Sequence, residues 1–430
     1  MNILLAIVAL SLLILVHELG HFMVARWSGI KVLEFSIFMG PKIFQWGKGE
    51  TKYSIRAIPM GGFVRMEGEE EASTDERAFN NKPAGIRALV IAAGATMNII
   101  IAILIITLIS LFLGYSTTTV AKLSVDSALK QAGIEVGDKI VSYNGKHVFH
   151  PTDLSMFLYV SNGEPVEVVY RREGVKDLQR TTVVPKESTP VYMIGISVGI
   201  DNGKANNTVE SVQSGSPAEK AGLIPGDVII RVDDVKVNER DDLLNYLQQT
   251  GGKPVEITVD RNGELITFHD VVPQASETYF DLGVEFEYRK GNIFNCVASA
   301  VNYSLSTIRG VFYSIGWLIT GKASFKEVSG PVGIVSTIGE VVEMGRGFSE
   351  KLLYLLQITA FLSLNLGVMN LIPFPALDGG KLFLILVEKI RRKPIDPEKE
   401  AWISMVGFFI LIALMIATLF NDIPKLIRGY

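Results

Sequence analysis

Four stretches of the chain are apolar and long enough to cross a hydrocarbon core of about 30 Å, which takes roughly 20 helical residues. They are Ile3 to Ala25, broken only by His17, Glu18 and His21; Ala88 to Tyr115, without a charge; Leu352 to Leu377, uncharged but carrying Gln357, Asn365 and Asn370; and Trp402 to Phe420, again uncharged. Between the second and third, the pattern changes to short alternating runs with Gly, Pro and Asn at their ends, the signature of strands and hairpins. Residues 293–320 differ from both: Ile293, Val297, Val301, Leu305, Ile308, Phe312, Ile315 and Ile319 recur every three or four positions, with Asn295, Asn302, Ser306, Arg309 and Tyr313 off the stripe. That is an amphipathic helix lying on a membrane surface or on other spans. The pattern predicts a polytopic α-helical membrane protein with four transmembrane helices and two inserted β-rich domains. A first membrane half covers 1–115, the β-rich domains 116–200 and 205–288, the surface helix 293–320 and a second membrane half 352–430.

Lys and Arg near the span ends set the expected orientation. Arg26, Lys31, Lys42, Lys48, Lys52 and Arg56 follow the first span, Lys82 and Arg87 precede the second, and Lys381, Lys389, Arg391, Arg392 and Lys393 separate the third from the fourth. These loops should face the cytoplasm. Both termini and the whole of 116–351, with Lys322 and Lys326, should face outside. A fifth crossing at 293–320 would reverse every later element and put His17 and Asp378 a bilayer apart.

The 116–288 region repeats itself. Ala132-Gly133 recurs as Ala221-Gly222, Gly137-Asp138 as Gly226-Asp227, Pro165 as Pro254 and Gly174 as Gly263, all at one offset of 89 residues. Ser216-Pro-Ala-Glu-Lys-Ala-Gly-Leu-Ile-Pro-Gly-Asp-Val-Ile resembles the core signature of bacterial PDZ domains, and Ser127 to Ile140 matches it more loosely. Each copy is followed by a hydrophobic-Gly-hydrophobic triplet, Ile194-Gly195-Ile196 and Leu282-Gly283-Val284. In PDZ domains such a triplet shapes the loop that holds a peptide carboxylate. Assigning each triplet to the copy before it implies a circularly permuted order, with peptide C-termini as ligands.

Composition narrows the chemistry. The 430 residues are 48% hydrophobic and 20% charged, with a net charge of -4, so no nucleic-acid footprint is present. One cysteine, Cys296, excludes an internal disulfide and a Cys-ligated metal site. The five histidines are His17, His21, His147, His150 and His269. His17-Glu18-Leu-Gly-His21 puts two imidazoles at i and i+4, on one helix face, where they can share a metal ion. Glu18 lies beside them as a candidate general base. Ionisable groups inside a span each cost about 2.5–3.5 kcal/mol on insertion scales, and a bound Zn²⁺ compensates that cost. Catalytic zinc takes a third protein ligand; the candidate is Asp378 in Asn370-Leu-Ile-Pro-Phe-Pro-Ala-Leu-Asp378-Gly-Gly, the first charge after a long uncharged run. His147, His150 and His269 stand at no metal spacing.

Together, His-Glu-x-x-His in the first span and Asn-x-x-Pro-x-Pro-x-Leu-Asp-Gly-Gly in a late one look like the site-2 protease family of intramembrane zinc metalloproteases. The two PDZ-like repeats make the chain similar to its bacterial RseP type. The resemblance covers nearly the whole chain. It implies that His17, His21 and Asp378 ligate zinc, that Glu18 is the catalytic base, and that Asn370 holds the oxyanion or the substrate backbone. It also implies a bacterial inner membrane location, single-pass membrane proteins as substrates, and regulated intramembrane proteolysis of an anti-sigma factor or removal of remnant signal peptides. Ile58-Pro-Met-Gly61-Gly62-Phe63-Val-Arg-Met looks like the family's re-entrant β-loop, here within 53–66, which binds unwound substrate. Gly94-Ala-Thr-Met-Asn98 departs from a Gly-Pro-x-x-Asn family pattern at Ala95, which leaves interhelical hydrogen bonding as the expectation for Asn98. The rival function, a membrane scaffold that binds peptide termini, explains 116–288 but leaves His17, Glu18, His21, Asn370 and Asp378 without a role.

Overall fold

The computed structural model describes residues 2–69, 71, 73–201, 204–213, 215–325, 328–343 and 347–428; Lys326 lies outside them. The helices are α1 (Asn2–Trp27), α2 (Ala84–Leu113), α3 (Ala128–Gln131), α4 (Pro151–Tyr159), α5 (Pro217–Ala221), α6 (Arg240–Thr250), α7 (Ile293–Thr320), α8 (Pro331–Glu343), α9 (Phe348–Leu371), α10 (Asp378–Arg391) and α11 (Pro397–Arg428). The chain forms two compact units, one of residues 1–160, 166–183 and 283–421, the other of 161–165, 184–282 and 422–430.

In the first unit, α1, α2, α9 and α11 contain the four segments long and apolar enough to cross a membrane. α2 packs along both α1 and α9. Small residues permit the approach: a Cβ at Gly20 would lie 2.4 Å from the Ala93 carbonyl oxygen, and one at Gly367 2.9 Å from that of Ala95. α9 stops at Leu371, short of the apolar run's end at Leu377. Pro373 and Pro375 explain this, since proline lacks the N–H a helix needs and restricts the residue before it. The chain then turns through Ala376, held at φ +76°, into Asp378, the first residue of α10.

Residues 32–46 and 52–66 form a folded sheet rather than a simple hairpin. Phe44 to Trp46 pair antiparallel with Ile55 to Tyr53. Glu34 to Ile37 then run in step with Lys52 to Ile55 on one side and antiparallel to Arg65 to Gly62 on the other. The reversals fall at Phe38, Gly40 and Gly61, all with positive φ. The order across the sheet is therefore 42–46, 52–58, 32–39, 62–66, with the last segment at an edge. Its turn reaches high along α1: the Ser11 hydroxyl donates to the Pro59 carbonyl at 2.8 Å, and a Cβ at Gly61 would touch Ile14.

Two β modules follow. Strand order in the first is 284–289, 115–123, 139–143, 166–171, 179–183; in the second it is 196–201, 204–212, 228–232, 255–261, 264–271. The domain bounds read from the sequence, 116–200 and 205–288, therefore each carry the other module's edge strand. The assignment of the triplets is reversed too. Gly195 accepts a hydrogen bond from Gln213 N–H at 2.8 Å in the second module, and Gly283 accepts one from Ser124 N–H at 3.0 Å in the first. Each glycine has positive φ, and a Cβ there would strike Ser216 or Ser124 at 2.3 Å. Copy two thus keeps its triplet ahead of it in sequence, and copy one takes a strand from beyond copy two. Short ladders at 186–187 with 280–281 and 192–193 with 274–275 tie the entry and exit of the second unit.

Helix α7 is amphipathic as expected, but its packing face is not the apolar stripe. Cys296, Ala300, Ser304, Ser306 and Val311 are buried, whereas Ile293, Val297, Val301, Leu305, Phe312 and Ile319 are exposed. The small residues let α7 lie against α2 and α9. The apolar stripe is left exposed on the far side of the helix.

Candidate metal centre

Helix α1 delivers His17 and His21 one turn apart, both buried. Their Nε2 atoms approach to 3.0 Å. The turn after α9 delivers Asp378, whose Oδ2 lies 3.0 Å from His17 Nε2 and 3.3 Å from His21 Nε2. Despite that proximity this oxygen is buried and, among the described residues, accepts no hydrogen bond. Three lone-pair atoms converging on one point, at edges of 3.0–3.3 Å, match the separation of about 3.3 Å between ligands of a tetrahedral zinc with bonds of about 2.0–2.1 Å. The donor set, two imidazoles and a carboxylate, is one that zinc takes, and three ligands leave a position open. Among the described residues, no other group of three His, Cys, Asp or Glu is close enough to hold a metal.

Helix α2 is the third wall. The His21 Nδ1–H donates to the Val90 carbonyl at 2.8 Å, which leaves Nε2 as that ring's lone pair. Gly94, one turn on, opens the space for both rings: a Cβ there would sit 2.4 Å from His21 Nε2 and 2.7 Å from His17 Nε2. Asn98, another turn on and fully buried, brings its amide to 3.4 Å from His17 Nδ1. In sequence, Gly94 and Asn98 are marked only by resemblance to a family pattern, which does not show the contact that gives them meaning.

Glu18 faces the edge of the sheet. Its Oε2 accepts the Val64 N–H at 3.0 Å. Val64 pairs with Phe35 on its other side, so this N–H is turned outward, towards α1. Gly62 packs against the Ser36 carbonyl, where a Cβ would be 2.7 Å away, and Phe63 carries the Arg56 guanidinium 4.8 Å over its ring. Arg56 is held by buried Glu34 at 2.9 Å, which also accepts from Ser54 at 2.6 Å. Asn370, half-buried at the end of α9, places its amide nitrogen 3.4 Å from His17 Nδ1. Gly195 and Gly283 belong to the β modules and take no part in this cluster. Of the remaining histidines, His150 caps α4 and His269 pairs with Glu256 at 2.8 Å on an exposed face.

Comparison with known proteins gives this geometry its context. The zinc metalloprotease RasP of Shouchella clausii is 31% identical over 99% of this chain and 100% of its own length. RasP of Geobacillus kaustophilus is 29% identical over 97% of each chain. The regulator of sigma-E protease RseP of Escherichia coli is 31% identical over 98% of each. The model of Peptidase family M50 matches residues 5–414. With that match spanning nearly the whole sequence, the chain belongs to peptidase family M50 and is an intramembrane zinc metalloprotease.

Proposed function

We propose that His17, His21 and Asp378 are the zinc ligands and Glu18 the catalytic base of an endopeptidase that cuts transmembrane segments. The observation that carries this is the convergence of two Nε2 atoms and one otherwise unbonded carboxylate oxygen on a shared point. Zinc held by these three residues would supply a Lewis acid for the scissile carbonyl and lower the pKa of water at the site. Glu18, beside the ligands and anchored through one oxygen to Val64, is placed to act as the general base towards an attacking water and to return the proton to the leaving amine. Asn370, a neutral amide donor, holds the oxyanion or the substrate backbone without altering the charge of the site.

The substrate is a membrane helix that must unwind, because intrahelical hydrogen bonds shield its carbonyls. The edge segment 62–66 offers outward backbone groups beside Glu18, and an extended substrate would add there as a further strand. Gly61, Gly62 and Phe63 shape that edge. The two β modules act as PDZ domains on the outer side of a bacterial inner membrane, with the termini also outside, and they admit substrates by size or by a free C-terminus at the Gly195 and Gly283 loops. The name of the Escherichia coli relative, regulator of sigma-E protease, favours an anti-sigma factor among the substrates; remnant signal peptides are the second class.

A single substitution tests the mechanism. Glu18→Gln, in detergent or vesicles with a reporter carrying one transmembrane helix, should abolish cleavage while one zinc per chain is retained. Turnover near that of the parent would remove Glu18 as the base.

A further inference from the structure

If zinc is held by the two Nε2 atoms, each ring must carry its proton on Nδ1, and each proton needs an acceptor. For His21 that acceptor is the Val90 carbonyl. For His17, no carbonyl or carboxylate of the described residues is hydrogen-bonded to Nδ1: the groups there are the amides of Asn98 and Asn370, each with its nitrogen at 3.4 Å. Asn98 is fully buried, and among the described residues its Oδ1 has no hydrogen-bond partner. An orphaned carbonyl oxygen inside a membrane domain is costly to leave without a donor. An asparagine amide can turn about its last torsion and exchange oxygen for nitrogen. Turned in that way, Asn98 Oδ1 meets the His17 Nδ1–H, and one rotation satisfies both the orphaned oxygen and the ligand's proton.

We propose that Asn98 is a positioning residue that accepts the Nδ1 proton of His17, fixing the tautomer and ring plane in which His17 binds zinc. The inference rests on the ligand assignment above. It gives α2 one task at three successive turns: the Val90 carbonyl orients His21, Gly94 leaves room for both rings, and Asn98 orients His17. It also separates two amides that meet the same nitrogen. Asn98 is sealed away from substrate, whereas half-buried Asn370 is released to face it.

The test compares the purified full-length protein with Asn98→Leu, which keeps the volume and removes the acceptor, and with Asn98→Asp, which keeps an oxygen in place. Zinc affinity is read by competition with a chromophoric chelator, and ligand geometry by the visible d–d bands of the Co²⁺-substituted protein. Asn98→Leu should weaken zinc binding about 10–100-fold and shift the cobalt bands; Asn98→Asp and Asn370→Leu should stay within about threefold of the parent. If Asn98→Leu does not fold, Asn98→Ala against Asn98→Asp gives the same contrast. Equal losses in the Leu (or Ala) and Asp variants would mean that Asn98 only packs, and parental affinity in the Leu or Ala variant would mean that it does nothing for the metal; either overturns the proposal. His17→Ala serves as the control: zinc binding unchanged there would instead remove the ligand assignment.

Discussion

Asp138 and Arg172 in the first β module stand where Asp227 and Arg261 stand in the second, 89 residues on. Each aspartate accepts two bonds from its arginine, at 2.7–2.9 Å, and each arginine also donates to a helix-end glycine carbonyl, Gly133 or Gly222. The capping aspartates repeat as well: Asp153 accepts the N–H groups of Phe149 and His150, and Asp242 those of Asn238 and Glu239. What differs is the setting. Asp153 is sealed under α7, where the Ser306 hydroxyl donates to it at 2.6 Å and Arg309 pairs with it, while Tyr159 packs on Trp317. Asp242 stays half-exposed, and no ion pair joins it to a cation among the described residues. The same fold unit therefore serves once as part of the unit that holds the membrane helices and once as a unit of its own. Duplication supplied the modules; the neighbouring helix decided their use.

That contrast can be broken by excision. Lys186 pairs with Asp281, so the chain ends left by removing 187–280 are already adjacent. A Gly-Ser splice there should leave the first module's sheet complete, keep one zinc per chain, and cut a short transmembrane substrate at a rate within about twofold of the parent. It should lose discrimination against substrates with bulky outer domains. Removing 116–288 instead takes away Thr152, Asp153 and Tyr159 and strips the α7 face that meets them, and thermal stability of the membrane unit should fall. Equal thermal midpoints for the two deletions would end the distinction.

Point variants sharpen it. Asp153→Asn strands the Arg309 charge and should cost about 3 kcal/mol, the range for breaking a buried pair. Asp242→Asn removes only part of a cap and should cost about 1 kcal/mol. Hydrogen exchange resolves the two: the first should loosen α4 and α7 together, the second α6 alone. Arg172→Ala and Arg261→Ala should cost similar amounts, each confined to its own module.

The smallest expected effect concerns acid. Burial works to raise the carboxyls of Asp138 and Asp227, but the hydrogen bonds and charge of Arg172 and Arg261 outweigh it and hold both below the ordinary 3.8. A carboxyl depressed on folding contributes stability that is complete above its unfolded pKa and is lost as pH falls through the folded one. Both modules should therefore hold their exchange protection down to about pH 4 and lose it together below that, and the Arg→Ala penalties should shrink over the same window.

How much the sequence revealed depended on the range of each interaction. His17 and His21 are one helical turn apart, so local periodicity alone brings them together. Asp378 stood out because a charge after an uncharged run is rare. The repeat was legible because its devices, such as Asp227 with Arg261, lie within one copy. The triplets pair against their order in the sequence, because nearness along the chain does not decide strand pairing: the strand at 284–289 crosses a whole inserted module to reach 115–123. The amphipathic pattern of α7 was readable, but its contact face was not, because small residues such as Ala300 and Ser304 pack closely without a hydrophobic signal. Asn98 and Gly94 depend on where α1 crosses α2, and no single stretch of sequence records a crossing.

X-ray absorption at the zinc edge reads out whether His17, His21 and Asp378 form a zinc centre. The purified chain should carry one zinc per molecule, with a shell of nitrogen and oxygen at about 2.0–2.1 Å, imidazole scattering from two rings and no sulfur. Asp378→Ala should lose most of that metal, while Glu18→Gln keeps the parental spectrum. One zinc per chain in Asp378→Ala, with an unchanged spectrum and affinity, would contradict the account.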